Sequence, residues 1–260
     1  MTDGPRLRPR EHGAYAMLAF PAVSGLVLGG LSWAGVGFIG MAVTGFMAHE
    51  SVLVVLGARG ARIRSSLEGR ARARLLRLAA VFTGAAAVFS GTARPEAWPP
   101  ALVSGGLAVG VALLLLAGRT RTLRGELLVA ATFASVHGVV AAAGGSGAAA
   151  IWTPVVAWIA SFGVATLSVH ALKVRFKGRG PGGWTVVAAP ALGAAILALA
   201  AVFLWVGHPM GPGLATVMPK AGVAMALGAV AIHPRHLRRV GWTLVAADGL
   251  TLFLLVAVLG

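Results

Sequence analysis

Nine apolar stretches, each about as long as a membrane-spanning helix, dominate this sequence. A helix that crosses the hydrocarbon core of a bilayer needs about 20 mostly apolar residues. The stretches cover residues 13–30, 34–57, 75–92, 101–118, 126–144, 148–172, 184–207, 213–231 and 241–259. We therefore predict an all-α fold: a polytopic bundle of nine transmembrane helices that forms one domain over residues 1–260, with a short basic tail at residues 1–11.

The basic residues are confined to alternate loops between these stretches. Of the 22 Lys and Arg residues, 20 fall in the N-terminal tail or in the loops after predicted helices 2, 4, 6 and 8. The positive-inside rule places such loops in the cytoplasm. We expect a cytoplasmic N-terminus, an external C-terminus and a multi-pass location in the bacterial inner (plasma) membrane. The net charge of +15 is therefore explained by the basic cytoplasmic loops. No nucleic-acid partner is expected.

Several ionisable residues interrupt the apolar stretches. Charged side chains at membrane depth are costly and usually face a protein interior. Measured from the cytoplasmic helix ends at the helical rise, Asp248 is expected ~10 Å deep, His49 and Glu50 ~10–12 Å, and His137 and Lys220 ~16 Å. Because these depths are similar, we predict that the residues line one polar cavity on the cytoplasmic side, with His12, Tyr15 and His170 near its edge.

Structural roles are open for some of these residues. Asp248 and Lys220 lie on consecutive antiparallel helices at similar depth, so an ion pair between them is one expectation. His137 is as readily explained by a hydrogen bond to the carbonyl of a neighbouring helix.

The segment PREHGAYAML, residues 9–18, resembles the opening signature of the YwiC-like family of bacterial membrane proteins. The similarity extends over most of the chain, although this opening is its distinctive part. The resemblance implies a family but no mechanism.

A more distant resemblance is to the UbiA-type intramembrane prenyltransferases. These have nine helices, a cytoplasmic-side cavity and polar motifs where helices 2 and 6 meet their basic loops. Their Asp-rich motifs hold Mg²⁺, whereas the corresponding slots here read Ala48-His49-Glu50-Ser51 and Ser168-Val169-His170-Ala171-Leu172-Lys173. Since Mg²⁺ prefers several hard oxygen ligands, we expect no metal site, and any UbiA-like transfer would be independent of metal.

The leading functional hypothesis is the binding of an anionic lipid or isoprenoid-type molecule in the predicted cavity. Its head would meet Arg62, Arg64, Lys173 and Arg175, since guanidinium groups neutralise phosphate directly. The candidate catalytic residues are His49, Glu50 and His170. The candidate ligand-binding residues are His12, Tyr15, Arg62, Arg64, His137, Lys173, Arg175, Lys220 and Asp248.

Two alternatives use the same residues differently. His49 and His137 would be axial ligands of haem b in a haem or quinone redox protein. Glu50, Asp248, Lys220 and histidines would form a proton relay in a proton-coupled transporter. The cofactor and the oligomeric state are not determined by the sequence, and membrane lipids are the partners expected in every case.

Overall fold

The computed structural model describes residue 7 and residues 12–176, 185–229 and 236–260. The described chain is all-α, as predicted. Its helices are α1 (His12–Gly29), α2 (Trp33–Val55), α3 (Ala61–Thr92), α4 (Trp98–Leu116), α5 (Leu123–Gly144), α6 (Ala148–Phe176), α7 (Thr185–Trp205), α8 (Met210–Ala215), α9 (Met218–Ala229) and α10 (Leu237–Leu259), with a 3₁₀ turn at Pro95–Ala97. Among these, α2 to α7 and α10 are long and apolar enough to cross a membrane, and α1 is a shorter apolar helix.

The stretch predicted as one helix over residues 213–231 differs from this expectation. It is divided into α8 and α9 by a turn at Thr216 and Val217. Pro219 is the second residue of α9, and because proline lacks a backbone N–H it cannot continue the hydrogen-bond ladder of α8. The chain therefore has a discontinuous helix in this part of the bundle.

Helix α3 begins at Ala61, well before the predicted start near residue 75. The arginine-rich segment after α2, predicted as a loop, is mostly helical because alanine, leucine and arginine favour helix. Glu68 strengthens it by pairing with Arg64 (3.3 Å) and Arg72 (2.6 Å), each four residues away. The 32 residues of α3 are about 48 Å long, so the arginine-rich part extends beyond a ~30 Å hydrocarbon core.

Helices α5 and α6 form the centre of the bundle. They pack against each other, and α5 also contacts α1, α2 and α4, whereas α6 contacts α7 and α9. The largest fully buried side chains include Trp158, Phe162 and Val139 on these two helices. Helix α3 lies outside this centre and packs along α2.

The closest approach between helices joins α1 to α5. A Cβ added to Gly29 would lie 2.5 Å from the Ala141 Cα, and one added to Gly25 would lie 2.8 Å from the Val140 Cβ. In a membrane, where hydrophobic burial between helices is weak, such close backbone packing stabilises association. The Gly25-Leu-Val-Leu-Gly29 spacing therefore holds the end of α1 against α5.

Four of the five exposed tryptophans in the described residues lie at one end of the bundle, whereas Trp242 lies near the start of α10, at the other end. The four are Trp33, Trp98, Trp152 and Trp205, at the ends of four different helices. The opposite end, called the basic end below, contains the 56–60 and 117–122 connections and the starts of α1, α3, α5 and α10. Tryptophan is typical of the membrane interface and arginine of the cytoplasmic loops, so these two ends are where we place the bilayer boundaries.

The orientation can be tested with single cysteines, because the chain contains none. Arg121→Cys lies at the basic end and Gly147→Cys at the tryptophan end. We expect a membrane-impermeant maleimide added to intact cells to label Gly147→Cys and to reach Arg121→Cys only after lysis. The cysteine-free parent is the control, and the reverse labelling pattern would show an external basic end.

The contact between α1 and α5 gives a stability prediction. Gly29→Ala should destabilise the protein by about 1–3 kcal/mol, because the added methyl group overlaps the α5 backbone. Gly84→Ala, at a position with no neighbouring atom within 4 Å, is the matched control and should leave the melting temperature unchanged or raised. Thermal unfolding in detergent measures both; equal melting temperatures would contradict the proposed packing.

Candidate functional site

His49 and Glu50 lie near the end of α2, beside the arginine-rich part of α3. Because α2 and α3 are antiparallel, Met47 faces Arg74, whose Nη2 donates to the Met47 carbonyl at 3.3 Å. The part of α3 before Arg74 is rich in arginine, and residues 75–92 after it are mostly apolar, with Arg77 as their only charged residue. His49 and Glu50 therefore lie level with the arginine-rich part of α3. The depth of ~10–12 Å expected from the helical rise stays a prediction.

Glu50 is bound by Arg59 from the connection between α2 and α3. Arg59 Nε donates to Glu50 Oε2 at 3.1 Å, and Arg59 Nη2 also donates to Oε1. Gly57 and Gly60, at φ +74° and +94°, adopt the left-handed backbone that glycine tolerates and return Arg59 towards α2. His49 Nδ1 lies 3.9 Å from Glu50 Oε1. The negative charge of the Glu50 carboxylate is thus compensated by the Arg59 guanidinium.

Arg74 connects the N-terminal segment to α2 and α3. Its Nη1 donates to the Leu7 carbonyl, and the Leu7 side chain packs on Leu67 and Ala71. Neither Arg59 nor Arg74 was predicted from the sequence as a site residue. The available signal was nearness in the chain for Arg59, which follows Glu50 by nine residues. Arg74 comes opposite Met47 only because α3 packs back along α2.

Three aromatic rings lie next to this charged group. The Tyr15 ring contacts Phe46 edge to face at 5.0 Å, and Phe46 contacts Phe133 at 5.6 Å. The rings belong to α1, α2 and α5, and the Tyr15 hydroxyl lies 4.0 Å from Met47 Sδ. The basic-end site is defined here as Tyr15, Phe46, His49, Glu50, Arg59 and Arg74.

The other residues predicted at this end are distributed around it. Arg64 pairs with Glu68, four residues further along α3. Arg62, in the first turn of α3, is exposed. Lys173 on α6 pairs with Glu126 on α5 at 3.2 Å, close to His170. His12 begins α1 and Arg175 lies in the last turn of α6, and their side chains are outside the described part of the structure.

His137 belongs to a separate group in the bundle core. Its Nε2 lies 3.0 Å from the Ala150 carbonyl and its Nδ1 2.8 Å from Ser24 Oγ, which also accepts from Trp158 Nε1 at 3.0 Å. A carbonyl can only accept, so Nε2 carries the proton. The hydrogen bond expected between His137 and a neighbouring helix is confirmed. Both ring nitrogens are engaged with protein atoms in this structure, and the haem alternative stays a prediction.

A family model described as YwiC-like protein matches residues 8–142, slightly more than half of the chain. The chain belongs to the YwiC-like family. The matched region contains the whole basic-end site, from Tyr15 to Arg74. No curated protein and no solved structure matches the chain, and the resemblance to UbiA-type enzymes stays a prediction. The apolar helical bundle agrees with an integral membrane protein.

The YwiC-like protein also contains a buried ion pair outside the matched region. Lys220 Nζ lies 2.8 Å from Asp248 Oδ1, with side-chain exposures of 0% and 4%. Lys220 also donates to the Leu244 carbonyl at 2.5 Å, and Ser161 Oγ donates to Asp248 Oδ1 at 2.9 Å. The predicted ion pair is confirmed.

The single polar cavity expected from the sequence is not formed by these residues. His137, Lys220 and Asp248 are buried against protein atoms, whereas His49 and Glu50 lie at the basic end. A small pocket between α6, α7 and α9 is lined by Ser168, Leu172, Pro190 and Gly228, among other residues, and by none of the predicted site residues. Within the described residues, no three His, Asp or Glu side chains are grouped as a metal site would require.

The ion pair of the YwiC-like protein gives a double-mutant prediction. Asp248→Asn should destabilise the protein by about 3–5 kcal/mol, because it leaves the Lys220 ammonium buried without a counter-charge. Lys220→Met combined with Asp248→Leu should recover most of this loss, since apolar groups of similar volume need no partner. Denaturant unfolding in detergent measures both; equal losses in the single and double variants would contradict this role.

Proposed function

We propose that this YwiC-like protein binds a membrane amphiphile with an anionic head, of the lipid or isoprenoid phosphate type. The binding region is the basic-end site together with Arg70 and Arg77 of α3. The observation that carries the proposal is an excess of guanidinium groups on one flank of α3. Arg70, Arg74 and Arg77 follow one another at spacings of four and three residues and therefore share a face. The nearby carboxylate of Glu50 is already paired with Arg59.

Two of these arginines are available to a ligand. Arg70 and Arg77 are exposed, and neither forms an ion pair or hydrogen bond with any residue that the structure describes. Arg74, between them, holds backbone carbonyls of Leu7 and Met47. Guanidinium groups bind phosphate through paired, charge-assisted hydrogen bonds, so an anionic head at this height needs no metal ion.

The aromatic rings provide a surface for the tail. Helices α1 and α2 have few close backbone approaches, and Tyr15 and Phe46 fill the space between them at the basic end. Tyr15 is 40% exposed, so part of this aromatic surface is accessible to a ligand. An amphiphile bound here would place its apolar tail on the aromatic rings and its anionic head at the arginines.

His49 is the residue of this site best placed to exchange a proton with the head group. Its side chain is 35% exposed and lies beside the Glu50 carboxylate, and an imidazole titrates near neutral pH. His170, the other predicted catalytic histidine, lies near the end of α6, which packs on α5. It is not part of the basic-end site. The proposal therefore concerns binding at one site, with His49 as its proton-exchanging group.

The experiment is native mass spectrometry of the purified protein after exchange into phosphatidylglycerol, a polyprenyl monophosphate or phosphatidylcholine. We expect retention of the two anionic amphiphiles over phosphatidylcholine. Arg70→Gln combined with Arg77→Gln should lower retention more than tenfold, because each lost hydrogen bond to a charged group is worth about 1.5–3 kcal/mol. The two anionic probes separate a phospholipid from an isoprenoid ligand.

The matched control is Arg238→Gln combined with Arg239→Gln. These residues are exposed at the start of α10, also at the basic end, and removing them changes the charge equally. If both double variants lose retention equally, the effect is general surface charge and the proposed site is wrong.

A further inference from the structure

Lys220 lies at the start of a helix, where the helix dipole disfavours a positive charge. Lys220 lies in the first turn of α9, and the start of a helix carries a partial positive charge that repels a cation. The side chain is fully buried within the bundle. A residue that breaks local preferences at membrane depth is typical of a functional position.

Two oxygen atoms contact the Lys220 ammonium, one of them from a carboxylate, and a third oxygen binds the same carboxylate. Asp248 Oδ1 lies 2.8 Å and the Leu244 carbonyl oxygen 2.5 Å from Nζ. Ser161 Oγ bonds to the same carboxylate oxygen at 2.9 Å. Carboxylate, carbonyl and hydroxyl oxygens are the ligands that hard cations prefer.

A further hydroxyl lies one helical turn from Asp248. Thr251 is fully buried, and its Oγ1 has no hydrogen-bond partner in the described structure. A buried hydroxyl without a partner is unfavourable unless another occupant satisfies it in some state of the protein. This is a second observation, independent of the ion pair, that indicates unused oxygen ligands here.

The chain break next to Lys220 supports the same conclusion. The turn at Thr216 and Val217 ends only three residues before Lys220, and both residues are buried. In membrane carriers, discontinuous helices commonly form ion sites, because freed backbone groups and helix ends bind charge. The α8–α9 break also allows the first turn of α9 to move without unfolding a continuous helix.

We propose that Asp248, Ser161 and the Leu244 carbonyl form a binding site for a small monovalent cation, and that the Lys220 ammonium is its tethered occupant in this structure. An ammonium and an alkali cation carry the same charge and bind the same oxygens, so they exclude each other. A free cation can therefore occupy the site only when Lys220 has left it. This site is separate from the basic-end site, which contains none of these residues.

The experiment removes the tether and supplies free cations. Lys220→Ala leaves Asp248 unpaired next to a space of lysine size. We expect Na⁺, K⁺, Li⁺ or methylammonium to raise its melting temperature, relative to N-methylglucamine at equal ionic strength. At a cation concentration on the order of 100-fold above the dissociation constant, the rise should be about 5 °C. The wild type should show no such rise, because its own ammonium fills the site.

Two variants make the result specific. Lys220→Met also removes the charge but fills the space, so it should show no response to any cation. Lys220→Ala combined with Asp248→Asn lacks the carboxylate and should lose the response. Persistence of the response in this double variant would overturn the proposal.

Poor folding of Lys220→Ala is itself informative. Recovery of monodisperse protein in Na⁺ or methylammonium, but not in N-methylglucamine, would support the site. Aggregation in all of these cations, or a folded variant without a cation-specific shift, would overturn it. The double variant Arg70→Gln with Arg77→Gln should leave the cation response unchanged, which separates failure of this proposal from failure of the amphiphile proposal.

Discussion

Water is absent from the hydrocarbon core of a membrane, so polar side chains inside this bundle depend on partners from the same chain. His137 uses both ring nitrogens, one for the Ala150 carbonyl and one for Ser24. Lys220 and Asp248 neutralise each other and share Ser161 and the Leu244 carbonyl as further partners. Each group joins helices distant in sequence, and each therefore restricts how the central helices can be arranged. Thr251, whose buried hydroxyl has no described partner, departs from this pattern beside the ion pair.

At the basic end, charged side chains do not all need partners from the same chain, because water and lipid head groups can solvate them. Helix α3 continues past the membrane boundary as an arginine-rich helix, and its arginines are paired only in part. Glu68 occupies Arg64 and Arg72, and Glu50 occupies Arg59. Arg74 binds the carbonyl of Met47, next in the chain to Phe46, whose ring contacts Tyr15. The chemistry of this end is thus set by an excess of donors, whereas that of the core is set by matched pairs.

Much of this arrangement could be predicted from the sequence. Apolar length and arginine clusters predicted an all-α membrane bundle, and similar depth on consecutive helices predicted the pairing of Lys220 with Asp248. The start of α3 could not be predicted from hydropathy, because that scale separates apolar from polar segments and does not distinguish a polar helix from a polar loop. For the same reason Arg59 and Arg74 were treated only as basic loop residues, whereas the turn and the packing of α3 along α2 bring both to the end of α2.

By itself, the sequence determined which segments lie in lipid and which ionisable residues must be shielded there, since both follow from the cost of placing polar groups in hydrocarbon. Only the tertiary structure decided which of those residues meet. Helical rise sets the height of a side chain but not its direction around the axis. Direction depends on which faces pack together, and that depends on close contacts such as Gly25 and Gly29 against α5. For this reason residues of similar predicted depth became three separate groups, and Arg59 and Arg74 joined the basic-end site.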